Sequence, residues 1–423
     1  MYAEVIGIGD ELLYGQTVNS NASEIALRLI AIGIEVKYLT TIGDNAEEMW
    51  KAFDTALQRC DIVITTGGLG PTPDDFTQKV VAEYFGFTIR EFDDMLKDVE
   101  EKYSRLNRPM PEFARNQAWF PDGAARIYNP IGTATGIEVE RNGKFFFALP
   151  GVPSEAMIMT DQTIITRLEA LPKSEVIATK TVRTIGWGET MIQEKIGNDG
   201  LQKIYDAGCG LAFLPKHGMV DLRLTARAST KSDAEAKIDA VLPILMTATA
   251  TIRYAMGNDS LVDVIKRELE ARNAWLATAE SCTGGAIAAL LTETPGISAV
   301  YRGGVVSYHN DVKQHVLNVP ENILVQYGAV SEECAKAMAE GAARKLNADY
   351  AIAVTGISGP GGGTPEKPVG TVCLGLCARE IVEGKPLYRT ITRKERFPGP
   401  RHVHRIRTIN MALKMVWEEI TKL

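Results

Sequence analysis

The sequence predicts an α/β protein in three parts: an N-terminal α/β domain with a parallel-rich sheet, a small α+β module and a C-terminal α/β domain. Three observations predict it. Short apolar runs alternate with stretches whose apolar residues recur every three or four positions, as in strand–helix–strand chains. Several apolar runs end in Gly- and Asp-rich loops, the places where open α/β sheets bind ligands. The 423 residues are 45% apolar and 23% charged, enough for about two to four domains with cores of their own.

Residues 3–8 form a short apolar strand. Asn19, Ser20 and Asn21 then offer N-caps to a helix with Ala22, Ile25, Ala26, Leu29 and Ile30 on one face. Residues 36–42 read as a second strand, 46–59 as a second helix, 61–66 as a third strand, and about 75–84 as a further helix. That order implies a parallel sheet with helices on both faces. Residues 145–149 are another buried strand, closed by Pro150-Gly151-Val152-Pro153. This domain spans 1–170. The chain changes character at Leu171-Pro172-Lys173, and 171–256 read as strand 177–185, helix 189–196, strands within 218–228 and helix 232–246. The third part, 257–423, opens on the turn Gly257-Asn258-Asp259-Ser260. Helix 261–272, strand 274–279 and a helix after Gly285 follow, with strands ending at Tyr308 and Val354 and a last helix over about 401–420. There is no internal repeat and no low-complexity stretch.

Lys and Arg number 46 against 53 Asp and Glu, a net charge of −7. A generally acidic surface argues against broad, non-specific nucleic-acid binding, which needs cations on phosphates. The N-terminus lacks a basic region followed by an apolar stretch, so no signal peptide is expected. No run of about 18 apolar residues suggests a membrane span, and a cytoplasmic location follows. The six cysteines (Cys60, Cys209, Cys282, Cys334, Cys373 and Cys377) are scattered and read as reduced thiols rather than a disulfide or zinc framework.

Three C-terminal loops carry chemistry. Glu280-Ser281-Cys282-Thr283-Gly284-Gly285 lies where a strand ends and a helix begins. A serine there can face a pocket as a nucleophile, and the helix N-terminus behind it can favour an oxyanion or a phosphate. The plainer role of Ser281 or Thr283 is to cap that helix. Ser307-Tyr308-His309-Asn310-Asp311-Val312-Lys313 supplies a base. No Ser-His-Asp arrangement is recognisable, and lysine can stand in for histidine when burial lowers its pKa. Tyr308 is placed to relay or orient the proton, and His309 is the rival base. The third loop, Thr355-Gly356-Ile357-Ser358-Gly359-Pro360-Gly361-Gly362-Gly363, lets backbone N–H groups approach an anion and has Lys367 nearby.

Together with Gly328-Ala329-Val330-Ser331, these motifs resemble the CinA C-terminal family, which includes the stand-alone nicotinamide-nucleotide amidases called PncC. The resemblance covers about 260–423. It implies a Ser-Lys-type amidohydrolase that needs no cofactor and converts nicotinamide mononucleotide to nicotinate mononucleotide and ammonia. Ser281, Tyr308 and Lys313 take the catalytic positions. Substrate contacts are expected from Thr283, Gly284 and Gly285, from Thr355, Gly356, Ser358, Gly359, Gly361 and Gly362, and from Lys367 and Arg401 as partners of the phosphate. Many relatives carry Gly-Asp-Arg where this chain has Gly399-Pro400-Arg401.

In the N-terminal part, Thr65-Thr66-Gly67-Gly68-Leu69-Gly70-Pro71-Thr72-Pro73-Asp74-Asp75 follows a strand and opens a helix. A nucleotide phosphate can sit on the backbone of Gly67, Gly68, Gly70 and Thr72. Asp44, Asp74 and Asp75 offer oxygen ligands to Mg²⁺ or a similar hard cation, although each Asp also suits a helix cap. The segment resembles the molybdopterin-binding fold of MoaB and MogA. With Gly9-Asp10-Glu11-Leu12-Leu13-Tyr14-Gly15 and residues 149–157 it is closer to the CinA N-terminal domain, which implies a metal-dependent ADP-ribose pyrophosphatase. The middle module is similar to the KH-like domain of CinA proteins but has no usable Gly-x-x-Gly clamp, so no RNA partner is inferred. The partners expected are therefore small nucleotides, with a homodimer on the resemblance and on the prevalence of closed symmetric dimers. The alternatives are a non-enzymatic nucleotide-sensing protein linked to DNA uptake or repair, and an N-terminal domain that binds molybdopterin.

Overall fold

The computed structural model describes residues 1–72, 75–172, 175–383 and 385–422. They divide into two compact units, Met1–Thr179 with Thr225–Ile238, and Lys180–Leu224 with Asp239–Leu423.

The first unit opens with β1 (Tyr2–Ile8), α1 (Asp10–Leu13), α2 (Ser20–Ala31), β2 (Glu35–Ile42), α3 (Ala46–Arg59), β3 (Ile62–Thr66) and α4 (Thr77–Phe85). Asn19 and Asn45 cap α2 and α3 through their side-chain oxygens. Then come β4 (Thr88–Glu91), α5 (Asp93–Arg105), β5 (Trp119–Asp122), β6 (Ala125–Ile127), β7 (Gly136–Arg141), β8 (Lys144–Leu149), α6 (Pro153–Met159) and α7 (Thr166–Glu169). The main sheet runs β2-β1-β3-β8-β7-β6. Its first four strands are mutually parallel, and the β8–β7 and β7–β6 pairings are antiparallel. Strand alternation divides the core between the two faces. Ile62, Ile64, Phe145 and Phe147 pack with Ala22, Ile25 and Leu29 of α2, while Val63 and Phe146 pack with Met49 and Phe53 of α3 and Val80 and Val81 of α4. The parallel sheet with helices on both faces is thus as the sequence predicts, with an antiparallel edge added.

The middle module comprises β9 (Val176–Ile185), α8 (Glu189–Asp206), β10 (Cys209–Lys216), β11 (Met219–Ala228), α9 (Lys231–Ala248) and β12 (Arg253–Met256), with sheet order β10-β11-β9-β12. The helix expected over 189–196 continues to Asp206 across a kink at Gly197, whose φ of 72° leaves the helical region.

The C-terminal part contains α10 (Leu261–Ala271), β13 (Leu276–Glu280), α11 (Ala286–Thr292), β14 (Tyr301–Val306), α12 (Asn310–His315), α13 (Glu321–Gln326), α14 (Glu332–Lys345), β15 (Tyr350–Gly356), β16 (Thr371–Val382), β17 (Lys385–Arg396) and α15 (Arg401–Thr421). Sheet order is β14-β13-β15-β16-β17, with the first three strands mutually parallel and the β15–β16 and β16–β17 pairings antiparallel. Leu276, Ile352, Val354 and Leu374 face α10 and α15. Ala277, Ala279, Ala351 and Ala353 face Met338, Ala339, Ala342 and Ala343 of α14. Small residues on both partners let α14 lie close to the strands: a Cβ on Gly375 would fall 2.6 Å from the Ala335 carbonyl oxygen. All six cysteines are buried and no disulfide forms among the described residues. No helix among them is long and apolar enough to cross a membrane.

Candidate active site

The central strand β13 lies between β14 and β15, with Glu280 level with Val306 on one side and Val354 on the other. β13 and β14 end at this level, β15 runs two residues further, and the exits are tied together. The Ser281 N–H donates to the Val354 carbonyl at 3.0 Å and the Ser307 N–H to the Glu280 carbonyl at 2.7 Å. Ser281, Ser307 and Thr355 therefore meet at the carboxyl end of the sheet, where open α/β sheets place ligands.

Lys313 reaches this point from α12. Its side chain is 1% exposed, and its Nζ lies 3.3 Å from Ser281 Oγ, 2.7 Å from the Ser307 carbonyl oxygen and 3.3 Å from the Tyr308 carbonyl oxygen. Burial pushes the Lys313 pKa down, because a desolvated ammonium is disfavoured. The thiols beside it do not reverse this. Burial pushes Cys282 up to about 12 and Cys334 up to about 11, so both stay neutral at ordinary pH and lend the amine no counter-charge. His309, the rival base, is the N-cap residue of α12. Its Nδ1 accepts the Asp311 N–H and its side chain is 75% exposed.

Tyr308, expected to relay or orient the proton, meets the site through both its hydroxyl and its carbonyl. Its ring is exposed and its hydroxyl accepts a hydrogen bond from Arg401 at 3.3 Å, while its carbonyl holds Lys313. Arg401 also donates to the Gly359 carbonyl at 3.0 Å, so it joins Tyr308 to the glycine-rich loop. The Thr355 hydroxyl donates to the Ala329 carbonyl, and Lys367 donates to the Tyr327 carbonyl at 2.6 Å, binding that loop to the 328–331 motif. Ser358 is buried, with its hydroxyl 2.9 Å from His404 Nδ1. His404 Nε2 faces the Gly370 carbonyl, which can only accept. The neutral ring therefore donates through Nε2 and accepts the Ser358 hydroxyl proton. Gly361 and Gly362 are exposed at the loop's tip, and Gly284 is exposed beside Ser281. Thr283 is fully buried, and its hydroxyl has no hydrogen-bond partner among the described residues.

One expectation is corrected. The N-terminus of α11 is not open to an oxyanion or a phosphate. The buried Glu280 carboxylate accepts the N–H groups of Gly285, Ile287 and Ala288 at 3.1, 3.0 and 2.9 Å. It satisfies the orphan donors of the first turn and places negative charge at the positive end of the helix. Neither Ser281 nor Thr283 caps the helix, so the serine hydroxyl is left to Lys313. Glu280→Ala should leave these donors unsatisfied and destabilise the C-terminal domain by about 3 kcal/mol. Urea unfolding and amide exchange at Ile287 and Ala288 measure this, and unchanged protection would refute the capping role.

Two further residues have no forecast in the sequence. Arg405 donates to the Thr283 carbonyl at 2.8 Å, and His404 anchors Ser358. Both lie on α15, one helical turn beyond Arg401. Pro400 is the N-cap residue of that helix and makes no side-chain cap bond. An Asp there would accept a first-turn N–H, a bond that proline does not supply.

In the N-terminal unit, Gly9, Gly67 and Gly151 follow β1, β3 and β8 and line one pocket of about 390 Å³ with Glu11, Asp44, Gly68, Gly70, Asp75 and Glu155. Gly67 adopts φ +121°, and a Cβ there would collide with the Ile8 carbonyl oxygen. Asp75 accepts the Thr72 N–H at 3.0 Å and the Thr72 hydroxyl. Asp44 accepts the Asp10 N–H at 3.0 Å, and Asp10 returns the bond to the Asp44 N–H. Asp74 lies outside the described residues. Among those described, no group of three His, Cys, Asp or Glu side chains is arranged to hold a metal ion. Asp44 and Asp75 share the pocket wall.

The model of the CinA C-terminal domain matches residues 258–420, that of the Damage-inducible protein CinA KH domain matches 179–248, and that of a "Probable molybdopterin binding domain" matches 4–170. A CinA-like protein of Chlorobium phaeovibrioides is 38% identical over 432 residues, covering 100% of this chain and 98% of its own. The chain belongs to the CinA family. A CinA-like protein of Dictyoglomus turgidum is 39% identical over 387 residues, 92% of this chain and 93% of that one. The crystal structure of CinA from Thermoplasma acidophilum, described as of unknown function, shares 35% identity over 38% of this chain and 94% of its own, with a TM-score of 0.36.

Proposed function

We propose that the C-terminal domain of this CinA-family protein is an amidohydrolase that converts nicotinamide mononucleotide and water to nicotinate mononucleotide and ammonia. The observation that carries this is the 3.3 Å approach of buried Lys313 Nζ to Ser281 Oγ. Lys313 Nζ donates to the Ser281 hydroxyl and to the Ser307 and Tyr308 carbonyls; once it loses a proton, its two remaining N–H groups can keep the carbonyls while its lone pair takes the Ser281 hydroxyl proton. Lys313 takes that proton as Ser281 Oγ adds to the carboxamide carbon. The tetrahedral adduct collapses, the C–N bond breaks, and Lys313 gives its proton to the leaving nitrogen, which departs as ammonia. Water then attacks the resulting ester, Lys313 again taking and returning a proton, and the carboxylate and Ser281 are released. Arg401 and Lys367, with the backbone of 356–363, suit the phosphate, and Arg401 ties that loop to Tyr308. The substrate itself is assigned from the family resemblance. Incubation of the purified protein with nicotinamide mononucleotide should yield equal amounts of ammonia and nicotinate mononucleotide; absence of both overturns the assignment.

For the N-terminal domain we infer hydrolysis of ADP-ribose to AMP and ribose 5-phosphate. The pocket walled by Asp44, Asp75 and the Gly67–Gly70 turn favours it. A second pocket of about 710 Å³, lined by Phe113 and Trp119, shares Gly70 and Asp75 with it and has room for a nucleoside. A divalent cation, when bound, would neutralise charge on the diphosphate, and Asp44 and Asp75 are the residues to hold it. ADP-ribose cleavage should stop in EDTA, return with Mg²⁺, and fall at least about a hundredfold in Asp75→Ala. Ammonia release should be unchanged by EDTA. ADP-ribose cleavage that continues in EDTA would refute the metal requirement.

A further inference from the structure

The second unit holds another pocket, of about 330 Å³, that the chemistry above does not use. Its walls are the Gly186–Glu189 loop after β9, the turn before β11, Phe397 after β17, and the face of α15 bearing Arg407, Asn410, Met411 and Lys414. Trp187 and Phe397 are both half-buried in this lining, so two aromatic surfaces border a space within the range of small-molecule sites.

The charges in the lining are not equivalent. Lys216 is paired with Asp221 at 3.0 Å, and Lys414 with Glu418 at 3.3 Å. Arg407 has no ion pair among the described residues, and its Nε is buried with no hydrogen-bond partner. The acid in the lining, Glu189, is exposed to solvent. A half-buried guanidinium in a pocket lining, with no ion pair among the described residues, calls for an anion, since its planar fork matches phosphate or carboxylate oxygens. The aromatic walls call for a flat ring, because a base stacks on such surfaces whatever its sequence identity.

We propose that this pocket binds a small aromatic anion of the nucleoside monophosphate class, with its ring against Trp187 and Phe397 and its phosphate on Arg407. The site is separate from Ser281 and from the N-terminal glycine loop, and it does not depend on either proposed hydrolysis. The same helix, α15, carries Arg401 and Arg405 to the serine site, so occupant and nucleophile are served by one rigid element.

The test is a fluorescence titration of the full-length protein with AMP. Four other tryptophans respond in their own surroundings, so the signal of this site is the part that Trp187→Phe removes. Trp187→Phe keeps a ring in the wall and should keep the fold, which its melting curve checks. AMP should quench a component of the emission that this variant lacks. Arg407→Gln, with an unchanged melting curve, should need at least about tenfold more AMP for the same quench, as expected for loss of a charge-assisted contact. Inorganic phosphate alone should compete weakly. The proposal is overturned if the parent and Trp187→Phe quench alike, if Arg407→Gln titrates at the parent's AMP concentration, or if phosphate competes as strongly as AMP.

Discussion

Ser281→Ala should abolish ammonia release from nicotinamide mononucleotide, lowering kcat by at least about a thousandfold while the fold persists. The substitution removes only the hydroxyl. The bond that holds the residue in place is its main-chain N–H to the Val354 carbonyl, which alanine keeps. No helix cap is lost, because Glu280 holds the first turn of α11. Lys313 keeps its bonds to the Ser307 and Tyr308 carbonyls. A variant with a native melting curve and no ammonia release assigns the loss to the nucleophile. One that retains most of the activity removes Ser281 from the mechanism. ADP-ribose cleavage by the same variant should be unchanged, which separates the two proposed activities within one preparation.

The parallel parts of both large sheets were legible because their strands are buried on two faces and read as short apolar runs between amphipathic helices. The helix over 46–59 coincides with α3 because an Asn cap begins it and its buried residues Met49, Phe53 and Ala56 repeat at helical spacing. The stretch between α4 and β8 was not legible. It folds into a two-stranded ribbon, a helix and two further strands, several of them only three or four residues long, whose apolar residues are too few to show a period. In the middle module, β10 was missed because its burial is intermittent, ending in exposed Pro215 and Lys216. In the C-terminal part β17, the hairpin partner of β16, has the same weakness, being rich in Lys and Arg with no fully buried position.

Within the candidate site, what could be read were the loops, because their Gly, Ser and Thr residues interrupt apolar patterns and their order along the chain places them on neighbouring strand ends. What could not be read was which groups are already spoken for. Glu280 stands in the motif as an ordinary acid, yet it is fully buried and takes up the helix dipole that a ligand was expected to use. The Ser358 and Thr355 hydroxyl protons go to His404 and Ala329. His404 and Arg405 sit in a helix 120 residues beyond Ser281, and nothing local in sequence links them to it. Burial decides each of these outcomes, and burial is a tertiary property.

Replacing Lys313 should be nearly as damaging as replacing Ser281, and the pattern among substitutions is diagnostic. To take the Ser281 proton the amine must be neutral, and an unperturbed lysine with a pKa of about 10.4 would spend roughly 4 kcal/mol to be so near pH 7.4. Burial lowers the Lys313 pKa and reduces that penalty. Because the neutral form is the active one, kcat/KM should rise with pH through a limb lying below the ordinary lysine value and flatten above it. Lys313→Arg should lose about as much activity as Lys313→Ala, at least about a thousandfold, since guanidinium stays protonated and its bulk overfills a slot where the lysine is 1% exposed. Lys313→Met fills the slot without a base and should fold with equally little activity, so loss in all three variants points to the proton and not to packing. His309→Ala should change turnover by less than about threefold, since the imidazole is exposed and bonded to the Asp311 N–H. If Lys313→Arg keeps turnover while His309→Ala abolishes it, histidine is the base and the buried lysine serves only to hold the ends of β13 and β14 together.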